Sequence, residues 1–211
     1  MIVCAALVVP PHSSVFVPQE LAGKLVGLDY RNGTAYAGLQ MLEGAVPREA
    51  ITTCAALAPA AERFAQLMRG DFEATVLQEP YIKVSAKAGC RLVSTTFFHG
   101  TWVADPTLDR PVQLAFLRAL TQAVHRINAN KRRYVYEYFL RPQRPDLPPG
   151  PEVVSLTPDD FDLGRIQLKP PAPIPELEAR WAWEWMASWG VLTGSFDPAA
   201  QLANAMAEAA G

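Results

Sequence analysis

Between Lys24 and Thr95 short apolar runs alternate with amphipathic stretches of about ten residues, and this alternation limits the chain to few architectures. Lys24–Asp29 (KLVGLD), Ile51–Cys54, Phe72–Leu77 and Cys90–Thr95 read as strands. Between them, Thr34–Leu42, Pro59–Arg69 and Pro80–Ala88 read as helices. Proline near the first turn and Gly70 just past the end mark out the second of these. Strand–helix–strand units of this length predict right-handed crossovers and a largely parallel sheet, an α/β fold.

The flanking segments differ. Met1–Val9 is apolar throughout and is stopped by Pro10 and Pro11, the pattern of a strand covered on both faces. It is too short to span a bilayer, and no basic region precedes it as in a signal peptide. Val15–Val17 reads as a further short extended run. After Phe98 the pattern becomes helical. Leu114, Leu117, Leu120, Val124 and Ile127 mark a long helix over Leu108–Asn130, and a second helix covers Arg132–Leu140. Arg141–Pro151 is a proline-rich loop. Pro175–Trp189 is a helix with Trp181, Trp185 and Trp189 on one face, a pattern of core packing rather than of an aromatic cage. Pro198–Ala210 is a last helix.

Composition removes several functions. Half of the residues are hydrophobic, so the chain can bury a core. The net charge of −2 offers no basic field for nucleic acid. The short run Lys131-Arg132-Arg133 reads as a solvated helix start. Cys4, Cys54 and Cys90 are too far apart in sequence for a zinc motif and are odd in number, so they read as small buried hydrophobes. No GxSxG, HExxH or phosphate-loop sequence occurs. Neither a metal nor a cofactor is expected.

LAGKLVGLDYRNGTAYAGLQMLEG, followed by APAAERFAQLMRGDFEATVLQEPYIKVSAKAGCRLV, resembles the second lobe of type II periplasmic solute-binding proteins, the family that binds sulfonates, taurine, nitrate and thiamine-precursor pyrimidines. The resemblance rests on the glycine–threonine turn after the first strand, on Gly70-Asp71 and Glu79-Pro80, and on the turn and strand Gly89–Val93. It implies a two-lobed α/β clamp. Residues 18–97 would form a complete second lobe, and residues 1–17 with 98–211 a partial first lobe whose amino-terminal part is missing. It further implies the binding component of an ABC-type importer, periplasmic or at the cell surface, with a permease partner and a small anionic or zwitterionic solute held between two lobes without chemistry. Alternatives remain open: a fold-related enzyme of thiamine-pyrimidine synthesis or of the desulfinase type, a regulator's effector domain, or a truncated fragment that binds nothing. An incomplete lobe would leave the edge of Met1–Val9 unpaired and favour self-association.

Ligands of open α/β sheets sit beyond the carboxyl ends of the strands. The candidate residues there are Asn32, Gly33, Thr34, Ala35 and Tyr36, a helix start whose amides and dipole favour an anion. Thr34 is expected to cap the helix and Gly33 to let a ligand approach the backbone. Glu79 would accept hydrogen bonds from an amine or amidine. His99 and Trp102 lie in a return segment, where an aromatic side chain could cover a flat ligand. Ser13, with His12 and Ser14, is expected at the first crossover between lobes. Were there a nucleophile, Cys54 with His99 as its base would be the candidate pair.

Overall fold

The computed structural model describes residues 2–56, 59–105, 107–140 and 155–202. Its centre is one five-stranded sheet: β1 (Ile2–Val9), β2 (Leu25–Leu28), β3 (Thr52–Ala55), β4 (Ala74–Gln78) and β5 (Arg91–His99), in the order β3-β2-β4-β1-β5. β2 pairs in parallel with both β3 and β4. The crossovers are α1 (Gly33–Glu43), α2 (Ala60–Arg69) and α3 (Tyr81–Lys87), so the strand–helix alternation of the sequence is reproduced. α2 starts after Pro59, turns Phe64 and Leu67 inward, and stops at Gly70, whose φ of +82° is a left-handed value that a side chain disfavours.

β1 departs from the expected placement. It runs antiparallel between β4 and β5, with Ala5 opposite Gln78 and Ile2 opposite His99. The apolar run is therefore a central strand of the sheet that contains β2–β5, not part of the other lobe, and neither of its edges is unpaired. Its composition still made sense: Ala5 to Val9 are fully buried, as a strand covered on both faces requires. Val15–Val17 forms no strand; a 3-10 turn follows at Pro18–Leu21.

Two compact units divide the chain. One comprises Ile2–His99 with Lys131–Ile166, the other Gly100–Asn130 with Gln167–Gly211. The first holds the sheet. Its later segment adds α5 (Lys131–Val135), a π-helical turn at Tyr136–Leu140 and a 3-10 turn at Pro158–Asp160. Val135, Leu156 and Phe161 enter the same apolar cluster as Val8, Leu67, Phe72 and Leu77. This segment, expected with the partial lobe, thus packs on the sheet. Arg132 pairs with Asp159 there, so the basic run is partly neutralised.

The second unit contains α4 (Arg110–Ala129), α6 (Glu176–Ser188) and the short α7 (Pro198–Gln201). Leu114, Leu117, Leu120, Val124 and Ile127 share the half-buried face of α4, as the spacing predicts. Asn128 ties the helix end to the Leu168 backbone through bonds of 2.8 and 3.2 Å. On α6, Trp185 and Trp189 lie 6.1 Å apart, and Trp183 packs 6.0 Å from Phe196. Trp181 is exposed and no α6 residue is buried, which corrects the expectation of a tryptophan core. The proline-rich loop and most of the last helix fall outside the described residues.

Candidate functional site

Because β2, β3 and β4 are parallel and β5 runs in the same direction, their carboxyl ends share one edge of the sheet. That edge gathers the Asp29–Thr34 loop, Ala55–Ala56, Gln78–Glu79 and Phe98–His99.

The loop is built from Asp29, buried at the end of β2. Its carboxylate accepts from the Arg31 amide at 3.2 Å and from Asn32 Nδ2 at 3.4 Å. Asn32 then caps α1: its Oδ1 accepts from the Thr34 amide at 2.7 Å and from Thr34 Oγ1 at 2.6 Å. Its backbone oxygen accepts from the Ala35 amide at 3.1 Å. The cap is therefore Asn32, not Thr34. Thr34 and Ala35 are buried, and their amides are already used, so they do not face outward as expected. Gly33 serves a different purpose as well. A Cβ at Gly33 would lie 2.8 Å from Phe98 Cε2, so its small size admits the Phe98 ring over the loop.

Arg63 supports the loop from below. It projects from α2 with 2% of its side chain exposed, and its Nη1 lies 3.5 Å from Asp29 Oδ2. Its Nε donates to the Val76 carbonyl at 3.3 Å, tying the end of β2 and the middle of β4 to one guanidinium. Burial pushes the Arg63 pKa down and Asp29 opposes that shift. Sequence reasoning missed Arg63 although a signal was present: an arginine at the core-facing positions shared by Phe64 and Leu67 must find an anion.

Beside the loop, Tyr30 is exposed and its hydroxyl bonds Thr53 Oγ1. Tyr36 accepts from Gln40 Nε2 at 2.8 Å. Glu79 follows β4 and is partly buried, and its Oε2 is enclosed without a hydrogen-bond partner. Burial raises its pKa to about 7, against the opposing influence of Lys83 and Arg165. His99 ends β5 and is exposed.

Two of the expected residues are elsewhere. Ser13 follows β1, whose antiparallel direction carries its end to the opposite edge of the sheet. There Ser13 Oγ accepts from the Val15 amide at 3.1 Å, and its carbonyl accepts from Arg91. It is a turn residue, separated from His99 by the length of β5, about 26 Å at 3.3 Å per residue. Trp102 belongs to the other unit, exposed and 5.6 Å from Phe116 in an edge-on contact.

A Cys54–His99 nucleophile is excluded by topology. Cys54 is on β3 and His99 on β5, the two outer strands, about 19 Å apart at the usual strand spacing. Burial also raises the Cys54 pKa, the reverse of activation. Among the described residues no cluster of three or more His, Cys, Asp or Glu could hold a metal ion.

No family model matches the sequence, and no curated protein does. Solved structures do match. A periplasmic sulfonate-binding protein of a sulfonate ABC transporter from Methylobacillus flagellatus aligns over 99% of this chain and 65% of its own, with TM-score 0.69 and 15% identity. The alkanesulfonate-binding protein from Xanthomonas axonopodis pv. citri, bound to MOPS, aligns over 90% and 66%, with TM-score 0.63 and 16% identity. The aliphatic sulphonate binding protein from Escherichia coli aligns over 95% and 67%, with TM-score 0.62 and 13% identity. The chain thus spans about two thirds of the length of these structures, and at such identities the likeness is one of fold. The sheet order with its inserted antiparallel strand, together with these alignments, places the chain in the fold of the type II periplasmic solute-binding proteins.

Proposed function

We propose that the chain is the solute-binding part of an ABC-type importer, and that it holds a small organic solute at the carboxyl edge of the sheet without chemistry. The observation that carries this reading is the alignment of nearly the whole chain with sulfonate-binding proteins at TM-score 0.69. The permease partner and the periplasmic or cell-surface location follow from the same likeness and belong to the proposal.

The edge narrows the solute. Asn32 has already taken the Thr34 amide, so the helix start offers an anion its dipole, about 0.3–1 kcal/mol, and few free donors. Glu79 offers the reverse: a carboxylate oxygen with an unmade bond. A zwitterion, with its anionic end toward Gly33 and Tyr36 and an amine or amidine toward Glu79, uses both features. His99 and Tyr30 are the exposed side chains able to cover it. Asn32, Thr34 and Ala35 hold the loop's shape. The Cys54–His99 pair that an enzyme alternative would use is divided between the two outer strands.

Calorimetric titration with taurine, ethanesulfonate, nitrate and an aminopyrimidine tests the proposal. Binding of at least one, weakened in Glu79→Gln for the amine-bearing ligands, is expected. Failure of the whole panel to bind would sink the reading.

A further inference from the structure

Glu79 Oε2 is enclosed, and among the described residues it has no hydrogen-bond partner. The register that sets Ala5 opposite Gln78 brings the next residues, Cys4 and Glu79, side by side at the end of the β1–β4 pair. Beside them lies the turn Asp162–Arg165, closed by the Arg165 amide donating to the Asp162 carbonyl at 3.0 Å. Leu163 and Ile166 hold this turn against the apolar cluster that Cys4 also borders, and Lys131 Nζ donates to the Leu163 carbonyl at 3.2 Å. Arg165 is near enough to lower the pKa of both Glu79 and Cys4. Its guanidinium is nevertheless turned to Asp162, with Nε 3.3 Å from Oδ2 and the two side chains 52% and 54% exposed. A pair so exposed contributes little, whereas an enclosed carboxylate with an unmade bond is costly. The two protonation states of Glu79 therefore favour two placements of Arg165.

We infer that Glu79 is an acid–base latch for this turn: protonated, it leaves Arg165 with Asp162; ionised, it gives its proton to solvent, draws the guanidinium off Asp162 and fastens residues 162–165 to the end of β4. Burial raises the Glu79 pKa to about 7, so the exchange falls near neutral pH. Lys83 on α3 is the rival cation, and its backbone amide already donates to the Glu79 carboxyl. The guanidinium is favoured because it is more weakly hydrated than an ammonium and enters an enclosed place at lower cost. Cys4 on β1 is the titratable neighbour on the other side, while His99 ends β5, two strands from β4, and is exposed. The turn directly precedes Gln167, where the chain enters the second unit. The latch thus sets how firmly the chain is held as it leaves the sheet-bearing unit. It uses the carboxylate that the proposed function assigns to an amine-bearing solute, but it operates without solute, so its failure would leave that reading standing.

The test is carbon-detected NMR of the solute-free protein from pH 5 to 8.5, following Glu79 Cδ and Arg165 Cζ. Both signals are expected to shift with one shared midpoint near 7. The Arg165 transition should vanish in Glu79→Gln, which keeps the shape of the protonated side chain, and should remain in Lys83→Gln and His99→Asn. In Asp162→Asn, which removes the competing carboxylate, the Glu79 midpoint should move to lower pH. An Arg165 signal that does not respond to pH would overturn the inference, as would a transition that persists in Glu79→Gln. A transition lost in Lys83→Gln would overturn it too, by assigning the exchange to the ammonium.

Discussion

Arg63 Nη1 lies 3.5 Å from Asp29 Oδ2, with 2% and 4% of the two side chains exposed, so the loop at the candidate site stands on a buried ion pair. Such a pair gives little net stability but is costly to break on one side. Arg63→Met should destabilise the protein by up to about 3–5 kcal/mol, because Asp29 loses its buried cation and keeps only the exposed Arg31, 3.7 Å away, as a charged partner. Arg63→Met with Asp29→Asn should recover part of that loss. Urea unfolding of the single and double variants checks this.

Gly33 and Phe98 form a second coupled pair. Gly33→Ala should cost about 1–3 kcal/mol, since its Cβ meets the Phe98 ring. In the Phe98→Leu background the same change should cost less. Equal costs in the two backgrounds would mean that the ring is not what excludes the side chain.

Glu79 should give stability a pH dependence of definite sign. Its folded pKa, about 7, lies above the ordinary 4.5. The folded state therefore holds a proton that the unfolded state releases between these values. The contribution is full below 4.5 and is lost as pH rises through 7, by up to about 3 kcal/mol. Lys83 on α3 and Arg165 act on Glu79 to lower its pKa against burial, and Glu79 in turn raises that of Cys4 on β1. Glu79→Gln should flatten the stability profile between pH 5 and 7. An amine-bearing ligand should release a proton on binding near pH 6, seen as a dependence of the binding heat on the buffer.

Arg91 holds the turn after β1. Its guanidinium donates to the Pro11 and Val15 carbonyls at 3.1 Å and to the Ser13 carbonyl, and lies 4.3 Å from the Phe16 ring centroid. Arg91→Lys cannot reproduce three donors in a plane and should destabilise by about 1–3 kcal/mol. Hydrogen exchange should accelerate in residues 11–17 and leave α1 unaffected.

Local pattern alone determined much of this protein. The apolar run of β1 meant a strand buried on both faces. The alternation from Lys24 onward meant parallel strands with crossover helices, and Asn32-Gly33-Thr34 meant a capped turn at a sheet edge. These properties depend on periods of two and 3.6 residues and on short-range hydrogen bonds, all readable within a few positions. Tertiary structure decided the rest. Backbone ladders do not depend on side-chain identity, so nothing in MIVCAALVV specified that β1 would enter antiparallel between β4 and β5. That one choice sent Ser13 to the edge opposite His99 and put both of β1's edges in hydrogen bonds. Likewise, Arg63 and Asp29 are 34 positions apart, and only the packing of α2 on β4, the strand beside β2, made them partners. The Phe98 ring over Gly33, which gave the glycine its role, arises from the same long-range closure of the sheet.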